Sequence, residues 1–317
     1  MIIIDEYSMI DLALLDKIME ILQHPLLSHI KLVLCGDLNQ LPPVSGDPIL
    51  YSSWYNHFRI EVLTTNHRTE ESLLRNVVND FYAEDTLFRT TMLIQFINTR
   101  ITYDTLADVP FIYPLNSQCD YHNQNRLTLL RNQIYEFQFN QNSQDENSYF
   151  NTNTTTEMRN SFRFQPSLKV AVDARVMLLV NLDQDQSLVN GSMGIVKEDI
   201  LTPRPLLCIE FITGNTTKEL TLQPDFEVHD SIRLKQFPIC LAYALTIHKV
   251  QGMTLNNLVV GGIDRFWQPQ LLYVALSRVR RESDIQFLPF LCSPDGYYTY
   301  DQINSLFYMT STRNAVN

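Results

Sequence analysis

The sequence predicts an α/β protein built on parallel sheets, with a smaller antiparallel β-barrel inserted in its second half. Three observations lead there. Apolar runs at Ile2 to Ile4 and Lys31 to Cys35 end in Asp5-Glu6 and Gly36-Asp37, and a helical period lies between them. The same alternation returns at Phe111 to Leu115 and again after Pro238. From Arg175 to about Leu234 the period shortens to that of strands, punctuated by Asn190-Gly191 and Gly214-Asn215.

Taken in order, Ile2 to Ile4 and Lys31 to Cys35 read as buried parallel strands with polar residues at their C-terminal ends. Leu14, Leu15, Ile18, Met19 and Leu22 recur at intervals of three and four, the stripe of one buried helix face. Phe111 to Leu115 is a further strand, followed by a helix through Leu127, Leu130 and Ile134, so a second α/β domain begins after about residue 100. Gln138 to Asn160 is rich in Asn, Gln, Ser and Thr and reads as a mobile surface loop. Strands follow at Val176 to Val180, Ile195-Val196, Leu206 to Ile212 and Leu220 to Leu222. A helix-like Ala242 to Lys249, a strand Leu258 to Val260 and a helix Gln270 to Leu276 restore the α/β character.

At 317 residues and 45% hydrophobic, the chain is above the size at which one core stops growing, and two domains are expected. No run approaches the roughly 18 apolar residues of a membrane span, and no secretory leader is visible, so an intracellular protein without membrane contact is expected. Cys35, Cys119, Cys208, Cys240 and Cys292 show neither CxxC spacing nor zinc-spaced histidines and read as reduced core residues. A net charge of −11 excludes a protein that coats nucleic acid by charge alone. Contact with DNA would have to be local.

Asp5-Glu6 at a strand end has the form of a Walker B pair, one carboxylate for Mg²⁺ and the next for the attacking water; a solvated strand end reads the same way. Gly36-Asp37, Gln40 and Pro42-Pro43 make a second strand end carrying a carboxamide able to sense a γ-phosphate, or simply a proline-stiffened loop. Arg68 and Arg278 are candidate stabilisers of transferring phosphate, the alternative being surface ion pairs. Thr246, His248, Lys249, Gln251 and Gly252 crowd one short segment and suit phosphate contacts that position a nucleic-acid backbone; His248 by itself reads as a core histidine.

In this order the blocks resemble the petite-integration-frequency (Pif) helicase family and its RecD-like relatives in helicase superfamily one. Ile3 to Met9 (IIDEYSM in the run Ile2 to Met9), with the helix that follows, looks like motif II and the Pif signature; Gly36 to Val44 (GDLNQLPPV) looks like motif III, and Leu63 to Arg68 (LTTNHR) like motif IV. Val176 to Val196 is similar to the SH3-like insertion, Ala242 to Leu255 to motif V, and Tyr273 to Arg278 (YVALSR) to motif VI. The resemblance implies RecA-like P-loop NTPase folds: a partial first domain at 1–100, a complete second at 101–174 and 235–317, and an SH3-like β-barrel at 175–234. It implies ATP-driven translocation on single-stranded DNA and unwinding at single/double-strand junctions, in DNA repair, recombination or telomere maintenance, in nucleus or mitochondrion if eukaryotic. Carried over residue by residue, Asp5 would hold Mg²⁺, Glu6 activate water, Gln40 sense the γ-phosphate, and Arg68 and Arg278 stabilise it. Gly36, Asp37, Gln251 and Gly252 would border the nucleotide, with Thr246, His248 and Lys249 on the DNA backbone.

The sequence departs from the family pattern in one major respect. None of the nine glycines is followed by lysine, so the GxxxxGK[ST] loop that cradles β- and γ-phosphates is not among these residues. The expectation is an N-terminally truncated member, inactive by itself, with the faces of the first strand and helix partly exposed. A non-catalytic single-strand binder or a decayed mobile-element remnant is the alternative.

Overall fold

The computed structural model describes residues 1–27, 29–69, 72–106, 108–138, 164–165, 167–200, 205–213, 216–229, 232–290 and 295–313. They fall into two compact units: Met1–Thr105, Ile112–Pro114 and Val250–Asn317 form one, Leu106–Phe111 and Leu115–Lys249 the other. The polar tract expected as a surface loop lies almost wholly outside the described residues.

In the first unit, consecutive β-branched isoleucines favour extended backbone and form β1 (Ile2–Ile4), which pairs in parallel with β2 (Leu32–Leu34) in the register Ile3 to Val33. The expectation of strands buried on both faces is corrected: Ile3 is 59% and Val33 38% exposed. Ile3 and Val33 are paired and share the exposed face, Ile4 and Leu34 pack on the core, and Cys35, expected in the core, is exposed just past β2. Partial exposure of this strand and its helix was itself expected from the sequence.

Helix α1 (Leu12–Leu22) starts where the Asp11 carboxylate accepts the Leu14 N–H at 2.7 Å. Leu15 is fully buried with Ile10 and Ile49, and Ile4, Tyr7, Met19 and Leu34 pack around them. Leu14 is 48% exposed, so the buried stripe is one residue narrower than its spacing suggests. Helices α2 (Ser72–Asn79) and α3 (Thr86–Asn98) were not read from the sequence. Asp85 caps α3 by accepting the Phe88 N–H at 2.9 Å. Tyr113 belongs to β3 (Phe111–Tyr113), a strand buried throughout, as expected.

Helix α4 (Asn116–Leu129), in the second unit, ends earlier than expected. Arg131 takes a left-handed φ of 57°, which stops the helix, and Ile134 lies beyond it at 39% exposure. Short strands β4 (Tyr135–Gln138) and β5 (Ser167–Val170) pair antiparallel. A five-stranded antiparallel sheet then joins β6 (Arg175–Leu178), β7 (Met193–Ile200), β8 (Leu206–Thr213), β9 (Thr216–Leu222) and β12 (Ile239–Leu241), in the order β12-β6-β7-β8-β9. Between β9 and β12, β10 (Asp225–His229) pairs with β11 (Ile232–Gln236). Val176, Leu178, Val196, Leu207, Ile209 and Phe211 fill the sheet's core, the alternation that the strand period announced.

The helix-like Ala242 to Lys249 is corrected to strand β13 (Ala244–Thr246) followed by one turn, α5 (Ile247–Val250). Asn123 explains the extended backbone: its Oδ1 accepts the Ala244 N–H at 2.8 Å and its Nδ2 donates to the Ala244 carbonyl at 2.9 Å. A buried amide thus meets both hydrogen-bonding groups that a helix would have used. Back in the first unit, β14 (Leu258–Val260) pairs in parallel with β15 (Ile285–Phe287). Helix α6 (Pro269–Leu276) starts with proline at its first turn, where no N–H is needed, and α7 (Tyr300–Arg313) closes the described chain. Among the described residues no helix is long and apolar enough to cross a membrane.

Two outcomes are expected. Leu15→Ala should lower unfolding stability by about 2–5 kcal/mol in denaturant titrations, whereas Leu14→Ala should change it by under about 1 kcal/mol. His122 stacks 4.2 Å from Phe111, and burial followed by the charge of Arg126 pushes its pKa down from 6.5 to about 4. The folded state therefore prefers neutral imidazole; its contribution is complete above pH 6.5 and is lost as pH falls towards 4. Unfolding curves across that window should show the loss, and His122→Phe should flatten it.

Candidate active site

The C-terminal ends of β1 and β2 lie side by side, and every residue of the site belongs to the first unit. Asp5 is exposed, its Oδ1 accepting the Glu6 N–H at 2.9 Å. Glu6 takes left-handed φ 53° and ψ 44°, a conformation costing a residue with a Cβ roughly 1–2 kcal/mol. The next N–H, from Tyr7, donates to the Cys35 carbonyl at 3.0 Å and ties the two strand ends together. That closeness requires Gly36: at φ +155°, a Cβ there would sit 2.9 Å from both the backbone nitrogen and the ring of Tyr7.

Asp37 organises the turn that follows. Its Oδ1 accepts the Asn39 N–H at 2.9 Å, its carbonyl accepts the Gln40 N–H at 3.0 Å, and its Oδ2 accepts the Tyr273 hydroxyl at 2.8 Å. Gln40 Oε1 in turn faces Arg278 Nη2 at 3.5 Å.

Arg278, one residue past the C-cap of α6, is 1% exposed. Its guanidinium also donates to the Val274 carbonyl at 3.0 Å, the Met253 carbonyl at 3.3 Å and Ser277 Oγ at 2.7 Å. These acceptors are all neutral. Burial first, then the charge of Arg68, pushes its pKa down from 12.5 to about 10, while Glu6, Tyr273 and Asp37 pull it back up. Arg68 is exposed and donates to the Ser277 carbonyl at 3.0 Å; Asn66 Oδ1 shapes its turn by accepting the Arg68 N–H at 3.0 Å and the Thr69 N–H at 3.1 Å. Two cations thus converge on a spot whose nearest acceptors are uncharged, an arrangement suited to an anion.

Gln251 Nε2 donates to Glu6 Oε2 at 3.0 Å, and its Oε1 is buried with no hydrogen-bond partner. Gly252, at φ +79°, turns the chain beside Glu6. The structure therefore brings Asp5, Glu6, Gly36, Asp37, Gln40, Arg68, Gln251, Gly252 and Arg278 into one unit. Thr246, His248 and Lys249 belong to the second. Thr246 is buried at the end of β13; His248 is half-buried on α5, where burial lowers its pKa; Lys249 is exposed, with Nζ 3.9 Å from Cys240 Sγ. Tyr82 and Tyr273 were not singled out from the sequence. Tyr273 stands in the quoted YVALSR block, but only the fold shows that its hydroxyl reaches Asp37.

Comparison with known proteins agrees with the resemblance read from the motifs. The family described as "AAA domain" matches residues 1–97. The chain is 29% identical to ATP-dependent DNA helicase Pif1 of Campylobacter jejuni, over 98% of this chain and 72% of that protein. It is 26% identical to human ATP-dependent DNA helicase PIF1, over 91% of this chain but 46% of that protein, so it spans about half the length of such relatives. Among solved structures, the Candida albicans Pif1 helicase superposes with a TM-score of 0.75 at 22% identity, covering 99% of this chain and 76% of that one. A Pif1 structure described as showing DNA unwinding at forked duplexes by two coordinating helicases gives 0.70 at 25% identity, covering 99% and 73%. The α/β fold with parallel sheets is thus that of Pif1-type helicases, and the chain resembles ATP-dependent DNA helicases over nearly its whole length.

Gly36→Ala should lower stability by about 1–3 kcal/mol in denaturant unfolding, because the added methyl meets backbone that cannot yield without parting β1 from β2.

Proposed function

We propose that the chain is the motor portion of an ATP-dependent DNA helicase, which couples hydrolysis to movement along single-stranded DNA and to unwinding at single/double-strand junctions. The observation that carries this reading is the buried Arg278 guanidinium, held by neutral oxygens beside Arg68 and within the electrostatic reach of Glu6. Such a pair is the charge arrangement that a transferring phosphoryl group requires.

In this reading Glu6 is the base for the attacking water, with Gln251 fixing its carboxylate, and Gln40 contacts the γ-phosphate. Gly36, Asp37, Gln251 and Gly252 border the nucleotide. Among the described residues no cluster of three or more His, Cys, Asp or Glu could hold a metal. Asp5 nonetheless fits Mg²⁺ of the kind that arrives with a nucleotide, because that ion takes one or two carboxylates and completes its shell with water and phosphate oxygens. The ion would neutralise phosphate charge. Residues 1–100 are a partial first RecA-like domain of this proposal, 101–174 and 235–317 the second, and 175–234 the SH3-like insertion. Thr246, His248 and Lys249 hold the DNA backbone by contacts that carry no sequence information. The process served is DNA repair, recombination or telomere maintenance, inside the cell. The Bacteroides Pif1 structure described as bound to single-stranded DNA, similar in fold at a TM-score of 0.67, supports that partner.

A second reading, single-strand binding without catalysis, is favoured by Thr246, His248 and Lys249 crowding the end of β13 and the turn of α5 that follows it. Two assays separate the readings. The 317 residues should bind a labelled oligothymidylate at low salt, and lose affinity steeply as salt rises. They should release no phosphate from ATP as they stand, but show DNA-stimulated turnover when joined behind a strand, GxxxxGK[ST] loop and helix from a Pif1-type relative. Glu6→Gln should then cut turnover by about 10²–10⁴-fold and Arg278→Ala by about 10³-fold or more. Turnover indifferent to both substitutions would overturn the motor reading, and absent oligonucleotide binding would overturn the second.

A further inference from the structure

Two tyrosines reach the same four-residue turn from different elements. Tyr273, on α6, donates its hydroxyl to Asp37 Oδ2 at 2.8 Å. Tyr82, just beyond α2, donates its hydroxyl to the Asn39 carbonyl at 3.0 Å. Their ring centroids lie 5.5 Å apart, and Phe81 stands edge-on to both at 5.0 and 5.4 Å. Phe81 is fully buried and also meets Phe307 of α7 at 5.3 Å, so the tyrosines stand on a packed aromatic base.

What they hold is the Asp37–Gln40 turn. Asp37 closes it internally through the Asn39 and Gln40 N–H groups, and the turn presents Gln40 to Arg278. Arg278 follows α6, the helix that also carries Tyr273, so the contacts form a ring: Tyr273 to Asp37, along the turn to Gln40, across to Arg278, and back along α6. Burial and the nearby Asp37 charge keep both hydroxyls protonated well above the usual tyrosine range, and a protonated hydroxyl is what can donate.

We propose that Tyr82 and Tyr273 are positioning residues that clamp the Asp37–Gln40 turn, keeping the Gln40 carboxamide on the Arg278 guanidinium so that sensor and arginine move as one body. Asp37 then acts through Tyr273, as the carboxylate by which the clamp grips the turn. The functional meaning of the clamp rests on the reading of this unit as a phosphoryl-transfer site, whereas its existence is decided without nucleotide.

The test uses the whole chain and the substitutions Tyr82→Phe and Tyr273→Phe, which remove a hydroxyl and keep the ring. Amide hydrogen exchange is followed across residues 36–41, together with the NMR resonance of the Arg278 Nε–H. Tyr298→Phe serves as the control, since Tyr298 is a buried tyrosine of the same unit whose hydroxyl donates to the Leu288 carbonyl at 3.1 Å. The expected result is at least a tenfold faster exchange at Asn39 and Gln40 in each clamp variant, with a shifted Arg278 resonance. Exchange in β1 and β2 should be unchanged, and the control should leave residues 36–41 as in the parent. Unchanged exchange in both clamp variants, or an equal response to Tyr298→Phe, overturns the clamp. Failure of the turnover assays overturns only the motor reading, because neither clamp readout involves ATP.

Discussion

A guanidinium buried among neutral oxygens is the constraint around which the rest of the first unit is arranged. Burying a cation without a carboxylate partner is costly, and Arg278 meets that cost by hydrogen bonds to Val274, Met253, Ser277 and Gln40. Those four acceptors are delivered by three separate pieces of chain. Met253 requires the turn at Gly252, Gln40 requires the turn made by Asp37, and Val274 and Ser277 require that α6 end where it does. A full ion pair would have satisfied Arg278 more simply, but it would also have removed the unmet positive potential that it shares with Arg68.

The same logic reaches the strand ends. Parallel strands deliver their carboxyl ends to one edge, which is where α/β proteins collect polar side chains. Here the edge gathers Asp5, Glu6, Gly36 and Asp37, and Gly36 is what allows β2 to run close enough to Tyr7 for this. Glu6 and Arg278 are each met by a carboxamide rather than by a direct ion pair: Gln251 on Glu6, and Gln40 on Arg278. Amides can exchange partners at modest cost, which on the proposed reading suits groups that also meet a nucleotide.

Much of this was legible in the sequence wherever a local pattern carries physical meaning. β1, β2, α1 and α6 follow from apolar runs and helical spacing, and Asp5, Glu6, Gln40, Arg68 and Arg278 stand out because their residue types recur in a fixed order of blocks. The failures are tertiary. Ala244–Thr246 looks helical until Asn123, more than a hundred residues earlier in the chain, supplies partners for its extended backbone. Helices α2 and α3 escaped notice because their apolar residues are interleaved with polar ones and their packing partners lie far along the chain, Thr90 against Asn304 for example. Tyr82 gave no signal, since a hydroxyl aimed at a distant carbonyl leaves no local trace.

The backbone of Glu6 adds a consequence for how this site would drift if selection were relaxed. Its left-handed conformation burdens the folded chain, and glycine adopts that conformation freely. Replacement by glycine would delete the carboxylate and, in the same step, release local strain. On the proposed reading, the residue assigned to hydrolysis is therefore one that a search for thermal robustness alone would discard.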